Sequence, residues 1–145
     1  MQHSRATYDD ARLIVTLYES RREPRLRDAR KWFSANFKPK TAADIATLCP
    51  PGSEQNASYR MVLTYWEMVA SFITAGVLNK ELFFQSGREL LVVWERIRDI
   101  LPRVREVNKN PIDLRNVELV ATAYISWWNA HAPGAYEAFS QRVRG

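Results

Sequence analysis

The sequence predicts an all-α fold, a single domain over residues 1–145 arranged as a compact, mainly antiparallel bundle of about seven helices. Apolar residues recur at spacings of three and four through nearly every segment. Prolines, glycines and capping residues separate these segments. No stretch of useful length alternates apolar and polar residues in the manner of a strand.

The ends of the first two helices are marked by local signals. Thr7 followed by Asp10 predicts an N-cap, with Asp in place of the usual Glu, for a helix over residues 8–21. Pro24 suits the first turn of a second helix, which Pro39 ends. The first helix has Ala11, Ile14, Val15 and Tyr18 on one apolar face, and the second has Leu26, Ala29, Phe33 and Phe37.

A long central helix follows a short helix that Thr41 caps and a loop at Pro50-Pro51-Gly52. Ser53 opens this central helix, predicted over residues 54–75, and Gly76 ends it in the left-handed conformation. Its polar residues form one narrow stripe, which is typical of a helix mostly surrounded by protein. The stripe contains Arg60, Thr64, Glu67, Ser71 and Thr74, and burial is expected for Met61, Leu63, Val69, Phe72 and Ile73.

Residues that start or end helices also occur in the second half of the chain. Asn79 or Lys80 begins a turn or short helix, and Ser86 with Glu89 predicts a second capping box. Pro102 is expected to kink or restart the next helix, and Pro111 starts the one that Pro133-Gly134 ends. The apolar faces are Leu90, Val93, Trp94, Ile97 and Leu101, extended by Val104 and Val107; then Leu114, Val117, Ala121, Tyr124 and Trp128; and finally Tyr136, Phe139 and Val143.

No set of residues has the spacing of a catalytic, cofactor or metal site. The histidines are His3, near the start of the chain, and His131, which stands where a helix ends and suits the helix dipole. Cys49 is the single cysteine, and the glycines are scattered. We therefore expect a protein with no catalytic residues, no cofactor and no metal.

The segment nearest to a membrane span is the central helix, which Glu67 and Ser71 interrupt well before about 20 apolar residues. The start of the chain lacks the apolar run of a signal peptide. We expect a cytoplasmic protein that does not bind membranes.

The net charge of +5 makes the joint between the first two helices a candidate binding face, formed by Arg21, Arg22, Arg25, Arg30 and Lys31. Phosphate binding needs basic side chains that are free of acidic partners. Glu23 is placed to pair with Arg27, and Asp28 with Lys31. A partly neutralised, solvated face is therefore the favoured interpretation.

The second candidate site is the polar stripe of Arg60, Thr64, Glu67 and Ser71. Glu67 faces water in the favoured interpretation, as most glutamates do. In the alternative it is covered and paired with an Arg or Tyr from another helix, because an unpaired buried carboxylate is costly.

Three short motifs carry a resemblance to a known family. They are Tyr65-Trp66-Glu67-Met68-Val69-Ala70, then Gly76-Val77-Leu78, then Glu81-Leu82-Phe83, followed by an aromatic at Trp94. Over residues 59–94 the chain resembles a bacterial family of small all-helical proteins known only as a domain of unknown function. The resemblance implies a helical fold and a bacterial, cytoplasmic setting, and it implies no activity.

These observations favour a non-catalytic helical interaction module that binds a protein partner or associates with itself. One alternative is a nucleic-acid-binding protein that uses the arginine-rich joint. A second is a small-ligand binder or enzyme with a pocket along Glu67, Tyr65 and Arg60.

Overall fold

The computed structural model describes residues 5–145, and the regular secondary structure in that range is all helical. This confirms the all-α prediction of about seven helices: nine helices form within the range, of which seven are longer than five residues and two have five residues each. The helices are α1 (Tyr8–Ser20), α2 (Pro24–Asn36), α3 (Asp44–Leu48), α4 (Glu54–Thr74), α5 (Lys80–Phe84), α6 (Glu89–Ile97), α7 (Leu101–Asn108), α8 (Arg115–His131) and α9 (Ala135–Arg144).

The central helix α4 packs against α2 and α8. Its ends are as predicted. The Ser53 hydroxyl accepts a hydrogen bond from the backbone N–H of Asn56, and Gly76 adopts a φ of +78°. The side chains that α4 buries are Val62, Trp66, Val69, Ala70 and Ile73.

Apolar residues on both sides of the polar stripe of α4 are more open than the stripe predicted. Met61, Leu63 and Phe72 are only partly buried, and Met68 is 41% exposed. Along the open flank that carries Leu63 and the polar stripe, the short helices α3 and α7 lie beside part of α4 and leave a groove.

The apolar face predicted for α1 is wrong for Ala11, Val15 and Tyr18 and correct for Ile14, which packs against the core. Val15 and Tyr18 are 57% and 51% exposed, while Asp10 and Leu17 are buried. Long-range polar contacts orient the helix, because an Asp10 carboxylate oxygen accepts from the N–H of Asn79 at 2.9 Å and the Tyr65 hydroxyl donates to the Leu17 carbonyl.

Four predicted features of other helices also differ. Ser86 does not cap α6, since Arg88 occupies the N-cap without a side-chain bond and Glu89 binds Arg30 instead. Thr41 was expected to cap α3, but the N-cap residue is Ala43, which makes no side-chain hydrogen bond. The Asp44 carboxylate holds this turn instead by accepting from Lys40 N–H.

The helix expected to start at Pro111 begins at Arg115, after a turn in which Leu114 is left-handed with a φ of 56°. Val107, predicted to extend a buried face, is 62% exposed. The restart at Pro102 is confirmed by the start of α7. Of the described helices, none is long and apolar enough to cross a bilayer.

A buried carboxylate joins α6 to α9. Glu95 is 4% exposed and accepts hydrogen bonds from the Tyr136 hydroxyl, from Ser140 Oγ at 2.6 Å and from Arg144 Nε at 2.8 Å. Burial raises the pKa of Glu95, but the donors, Arg144 first among them, outweigh burial and hold this pKa below its ordinary value of 4.5. The ionised form of Glu95 therefore stabilises the packing of α9.

We expect Glu95→Gln to lower the free energy of unfolding by about 1–3 kcal/mol at neutral pH, since hydrogen bonds to a charged group are lost. A lowered folded-state pKa gives stability that is present above the unfolded pKa and is lost as pH falls through the folded pKa. Urea denaturation from neutral pH down to acid should therefore show a shallower decline for Glu95→Gln than for the unmodified protein. Parallel declines would contradict this, and Glu81→Gln, at an exposed carboxylate, is the matched control.

Candidate functional site

The Glu67 carboxylate caps the N-terminus of α8. Glu67 Oε2 accepts from the backbone N–H and the side-chain amide of Asn116 at 3.1 and 3.0 Å, and Oε1 accepts from Val117 N–H at 2.9 Å. The N-cap residue of α8, Leu114, provides no side-chain cap of its own. A negative charge at a helix N-terminus is favourable, so Glu67 replaces a local cap. The sequence predicted that Glu67 either faces water or pairs with an Arg or Tyr side chain. Its observed partners are instead backbone N–H groups and a side-chain amide of α8.

The remaining polar side chains of the stripe bond mainly within α4. Thr64 Oγ1 donates to the Arg60 carbonyl at 2.7 Å, and Ser71 Oγ donates to the Met68 carbonyl at 2.6 Å. Arg60 Nε donates to Asn56 Oδ1 at 2.9 Å. The terminal nitrogens of Arg60 have no partner among residues 5–145, so the guanidinium is available to an anion.

Two connected hollows lie along the open flank of α4, and we call them together the α4 groove. One occupies about 610 Å³ between α4, α7 and the turn before α8, and the other about 570 Å³ between α3, α4 and α7. They share Asn56, Tyr59, Val104 and Asn108. The first is also lined by Arg60, Leu63, Thr64, Glu67, Met68, Ser71, Asp113 and Leu114, and the second by Thr41, Ala42, Ala43, Ile45, Ala46, Cys49, Pro51, Arg103 and Val107.

The structure brings Glu67 and Arg60 into this groove but not Tyr65. Tyr65 lies on the other side of α4, where it lines a small hollow with Arg21 and Trp66 beside α1. The groove therefore contains Glu67 and Arg60, two of the three residues along which a pocket was expected.

Both carboxylates that line the α4 groove are already bound within the protein. Glu67 is held by α8, and Asp113 Oδ2 accepts from the side-chain amide of Asn108 at 2.9 Å. The remaining charged groups are cations, Arg60 and Arg103, and Arg103 contacts only the exposed Glu106 at 3.2 Å. The groove therefore combines apolar surface with two carboxylates that are held by internal hydrogen bonds and with the Arg60 guanidinium, whose terminal nitrogens are free.

Tyr59 stands where the two hollows meet. Burial raises the pKa of its hydroxyl to about 12, so the group is a neutral phenol at physiological pH. Its ring packs against Phe37, and among the described residues its hydroxyl has no hydrogen-bond partner. This hydroxyl can donate to a bound molecule without breaking an internal contact.

The sequence did not indicate the walls of the groove. Ile45 and Cys49 come from α3 and the residue after it, and Val104 and Val107 come from α7. The exposed Val107 interrupts the otherwise buried pattern of α7, but that signal shows only in the folded structure.

The candidate basic face is divided among internal contacts. Arg30 binds Glu89 at 2.7 and 2.8 Å, and Arg25 binds Glu54 at 3.0 Å. The guanidinium of Arg21 lies over the rings of Tyr18 and Trp66, at 4.7 and 5.4 Å from their centres.

The two neutralising pairs predicted for this face do not form. Glu23 instead caps α2 by accepting from the N–H groups of Arg25 at 3.1 Å and of Leu26 at 3.0 Å. These two backbone hydrogen bonds, that of Arg25 first, lower the pKa of Glu23. Arg22 and Lys31 are exposed and have no carboxylate partner within residues 5–145. The five candidate residues therefore do not act as one free patch.

The single described histidine and the cysteine both have structural contacts. His131 Nδ1 lies 2.8 Å from the Trp127 carbonyl, so this nitrogen carries the proton. Cys49 is buried, donates to the Ile45 carbonyl and has a pKa raised by burial. Within residues 5–145 no group of three or more His, Cys, Asp or Glu could hold a metal ion. His3 lies outside the described residues.

A family model for a domain of unknown function, DUF4760, matches residues 6–127, from the approach to α1 through most of α8. The chain belongs to the DUF4760 family. The match confirms the resemblance seen over residues 59–94 and extends it on both sides, while α9 lies beyond it. No curated protein and no solved structure matches the chain.

We expect Glu67→Ala to lower the free energy of unfolding by about 1–3 kcal/mol, because two backbone N–H groups of α8 lose a charged acceptor. Glu67→Gln keeps one acceptor oxygen and should cost less than Glu67→Ala. Chemical denaturation at neutral pH measures both, with Glu81→Ala as the exposed control. A cost for Glu67→Ala below about 0.5 kcal/mol, the level of ordinary surface changes, would mean that the cap does not hold in solution.

Proposed function

We propose that this protein is a non-catalytic interaction module that binds a partner protein in the α4 groove. The supporting observation is the groove itself, an open channel with an apolar lining whose two carboxylates are both engaged internally. Val107 and Met68 at the groove are 62% and 41% exposed, so apolar surface remains in water without a partner.

The shape of the groove favours a helix as the bound element. Its lining on α4 extends from Asn56 to Ser71, which is about 22 Å at 1.5 Å per residue. A partner helix of about four turns has this length, and its apolar side chains at i, i+3 or i+4, and i+7 would reach the groove together.

The free end of Arg60 favours an acidic partner. Arg60 lines the groove, and its terminal nitrogens have no partner among the described residues. An acidic residue beside the apolar stripe of a partner helix would pair with this guanidinium. We therefore infer an amphipathic helix with acidic flanks as the partner, in the bacterial cytoplasm that the sequence predicts.

Designed peptides test this proposal. We expect a 16-residue amphipathic peptide with a leucine stripe and glutamate flanks to bind with a Kd of about 10–100 µM, typical of a modest, open interface. Chemical shifts of the backbone amides of Leu63, Val104 and Val107 should change saturably in a heteronuclear NMR titration. A peptide with lysine flanks should bind at least about tenfold more weakly, which corresponds to a loss of only about 1.4 kcal/mol of binding free energy.

Leu63→Glu should abolish the binding of the acidic peptide, and Leu119→Glu, at an exposed apolar site on α8, should leave it unchanged. Arg60→Ala should weaken binding of the acidic peptide and leave that of the lysine peptide unaltered. Absence of saturable shifts at millimolar peptide, or shifts that Leu63→Glu does not remove, would overturn the groove as the partner site.

One observation favours the alternative of nucleic-acid binding. Arg27, Lys31 and Arg88 line a hollow of about 470 Å³ between α2 and α6, and none of the three has a carboxylate partner among the described residues. Glu89 lies in the same hollow, but Arg30 holds it in a two-bond contact. The hollow is small beside a nucleic-acid duplex, and Arg21, Arg25 and Arg30 are occupied, so we rank this function second.

We expect no DNA or RNA binding tighter than about 10 µM near physiological salt, the strong end of the range for non-specific binders. Fluorescence anisotropy with labelled duplex and single-stranded oligonucleotides at two salt concentrations measures it. Submicromolar binding that weakens with salt and is lost in an Arg27→Ala, Lys31→Ala, Arg88→Ala variant would reverse the ranking. Arg142→Ala, an exposed arginine on α9, is the control.

A further inference from the structure

Three basic side chains without a carboxylate partner in residues 5–145 line the hollow between α2 and α6, which we call the α2–α6 hollow. Arg27 and Lys31 are about one turn apart on α2, and Arg88 is the N-cap residue of α6. The hollow has a volume of about 470 Å³. This lies within the range of about 300–1,000 Å³ that is usual for small-molecule sites.

The carboxylates nearest to these cations in sequence are engaged elsewhere or lie outside the hollow. Glu89 also lines it, but Arg30 binds both of its carboxylate oxygens, at 2.7 and 2.8 Å. Glu23 caps the N-terminus of α2. Asp28 is exposed, does not line the hollow and forms no ion pair with the described residues. The four cations and one carboxylate that line the hollow therefore leave an excess of three positive charges.

Internal contacts hold parts of the hollow in place without cancelling this charge. The two-bond contact between Arg30 and Glu89 joins α2 to α6 at the hollow. The Arg88 guanidinium lies over the Trp128 ring, 4.4 Å from its centre. This ring is neutral, so it orients the cation and leaves the positive charge unpaired. The site is thus partly pre-formed, which lowers the entropic cost of binding a ligand.

We propose that the α2–α6 hollow binds a small organic phosphate monoester. A phosphate monoester carries a charge of about −1.5 to −2 near neutral pH and has three strong acceptor oxygens. Arginine guanidiniums bind phosphate through two parallel N–H donors, and lysine adds a point charge. A carboxylate ligand has one charge and two oxygens, so it would leave more of the three cations without a partner.

The apolar residues of the hollow suit the organic group of such a ligand. The hollow is much larger than a phosphate group, and its lining includes Phe33, Val62, Val92, Val93 and Phe139. An aromatic ring or short aliphatic chain attached to the phosphate can contact these side chains. Only Val92 among them is partly exposed, so the ligand removes little further apolar surface from water. We therefore expect a weak dissociation constant of about 0.1–1 mM.

The α2–α6 hollow and the α4 groove have no lining residue in common. The inference therefore stands independently of the proposed partner site. A heteronuclear NMR titration separates the two sites, because a ligand in the hollow should shift the backbone amides of Lys31, Val92 and Val93 and leave those of Val104 and Val107 unchanged.

Phenyl phosphate is the probe for this titration, and we expect saturable shifts at the hollow with a dissociation constant of about 0.1–1 mM. Inorganic phosphate, which lacks the ring, and benzoate, which lacks the second charge, should each bind several-fold more weakly. Absence of saturable shifts at the hollow overturns the proposal. Benzoate binding as tightly as phenyl phosphate overturns the phosphate assignment, and inorganic phosphate binding as tightly overturns the role of the organic group.

Charge reversal on α2 tests the residues. Arg27→Glu and Lys31→Glu should each weaken phenyl phosphate binding by at least about tenfold, because hydrogen bonds to a charged group are lost. Both side chains are exposed, so circular dichroism and the thermal transition should stay unchanged. Arg27→Lys keeps the charge and should weaken binding less than Arg27→Glu. Arg12→Glu, the same charge change at an exposed arginine of α1, is the matched control. Undiminished binding in both α2 variants overturns the site.

Two further measurements distinguish a free phosphate monoester from a phosphate group on a larger assembly. Co-sedimentation with phosphatidylcholine vesicles, with and without phosphatidic acid, should show no binding that depends on phosphatidic acid. Labelled oligonucleotides at millimolar concentration should not displace phenyl phosphate from the hollow. Vesicle binding that requires phosphatidic acid, or displacement by oligonucleotides, would overturn the small ligand in favour of a lipid headgroup or a nucleic acid, provided that Arg27→Glu removes the effect and Arg12→Glu does not. An effect that Arg27→Glu leaves intact lies outside the hollow, and the proposal then stands on the phenyl phosphate titration.

Discussion

The contact between the Glu67 carboxylate and the first turn of α8 is the constraint on which the candidate site depends. Two backbone N–H groups of α8 reach a side chain on the central helix, at Asn116 and Val117. This fixes where α8 begins against α4 and leaves the preceding residue, Leu114, in the left-handed conformation. Because that turn forms one end of the α4 groove, the cap shapes the groove as well as the fold.

Other acidic side chains also bind groups from distant parts of the fold. Asp10 binds the Asn79 backbone, Glu89 binds Arg30, and Glu95 collects donors from α9. In a chain with a net charge of +5, carboxylates engaged inside the fold leave basic side chains as the free charges outside. In the α4 groove, Glu67 and Asp113 are held by internal hydrogen bonds while the terminal nitrogens of Arg60 stay free, and this is the physical basis for proposing an acidic partner.

Local signals predicted most of the helices and failed where a distant group competed with them. Ser53, Gly76 and Pro102 act on the backbone within one turn, and the structure places helix boundaries where they indicate. Ser86 and Glu89 also have the spacing of a capping box, but no such box forms. Glu89 instead makes a stronger, charged contact with Arg30 of α2. The sequence identified part of the candidate site. It indicated Arg60 and Glu67 on α4, but not the residues of α3 and α7 that form the walls of the groove.

The sequence by itself determined the helical fold class and the central helix, because apolar spacing and helix caps are encoded in consecutive residues. Short motifs carried the resemblance to the family. Only the tertiary structure decided which apolar faces found partners. Spacing groups Ala11, Val15 and Tyr18 on one side of α1, yet packing buried the side with Leu17, and the grouped side remains exposed. The partner of Glu67 lies 49 residues away in sequence, and a hydrogen bond of that range depends on three-dimensional proximity that no local pattern records.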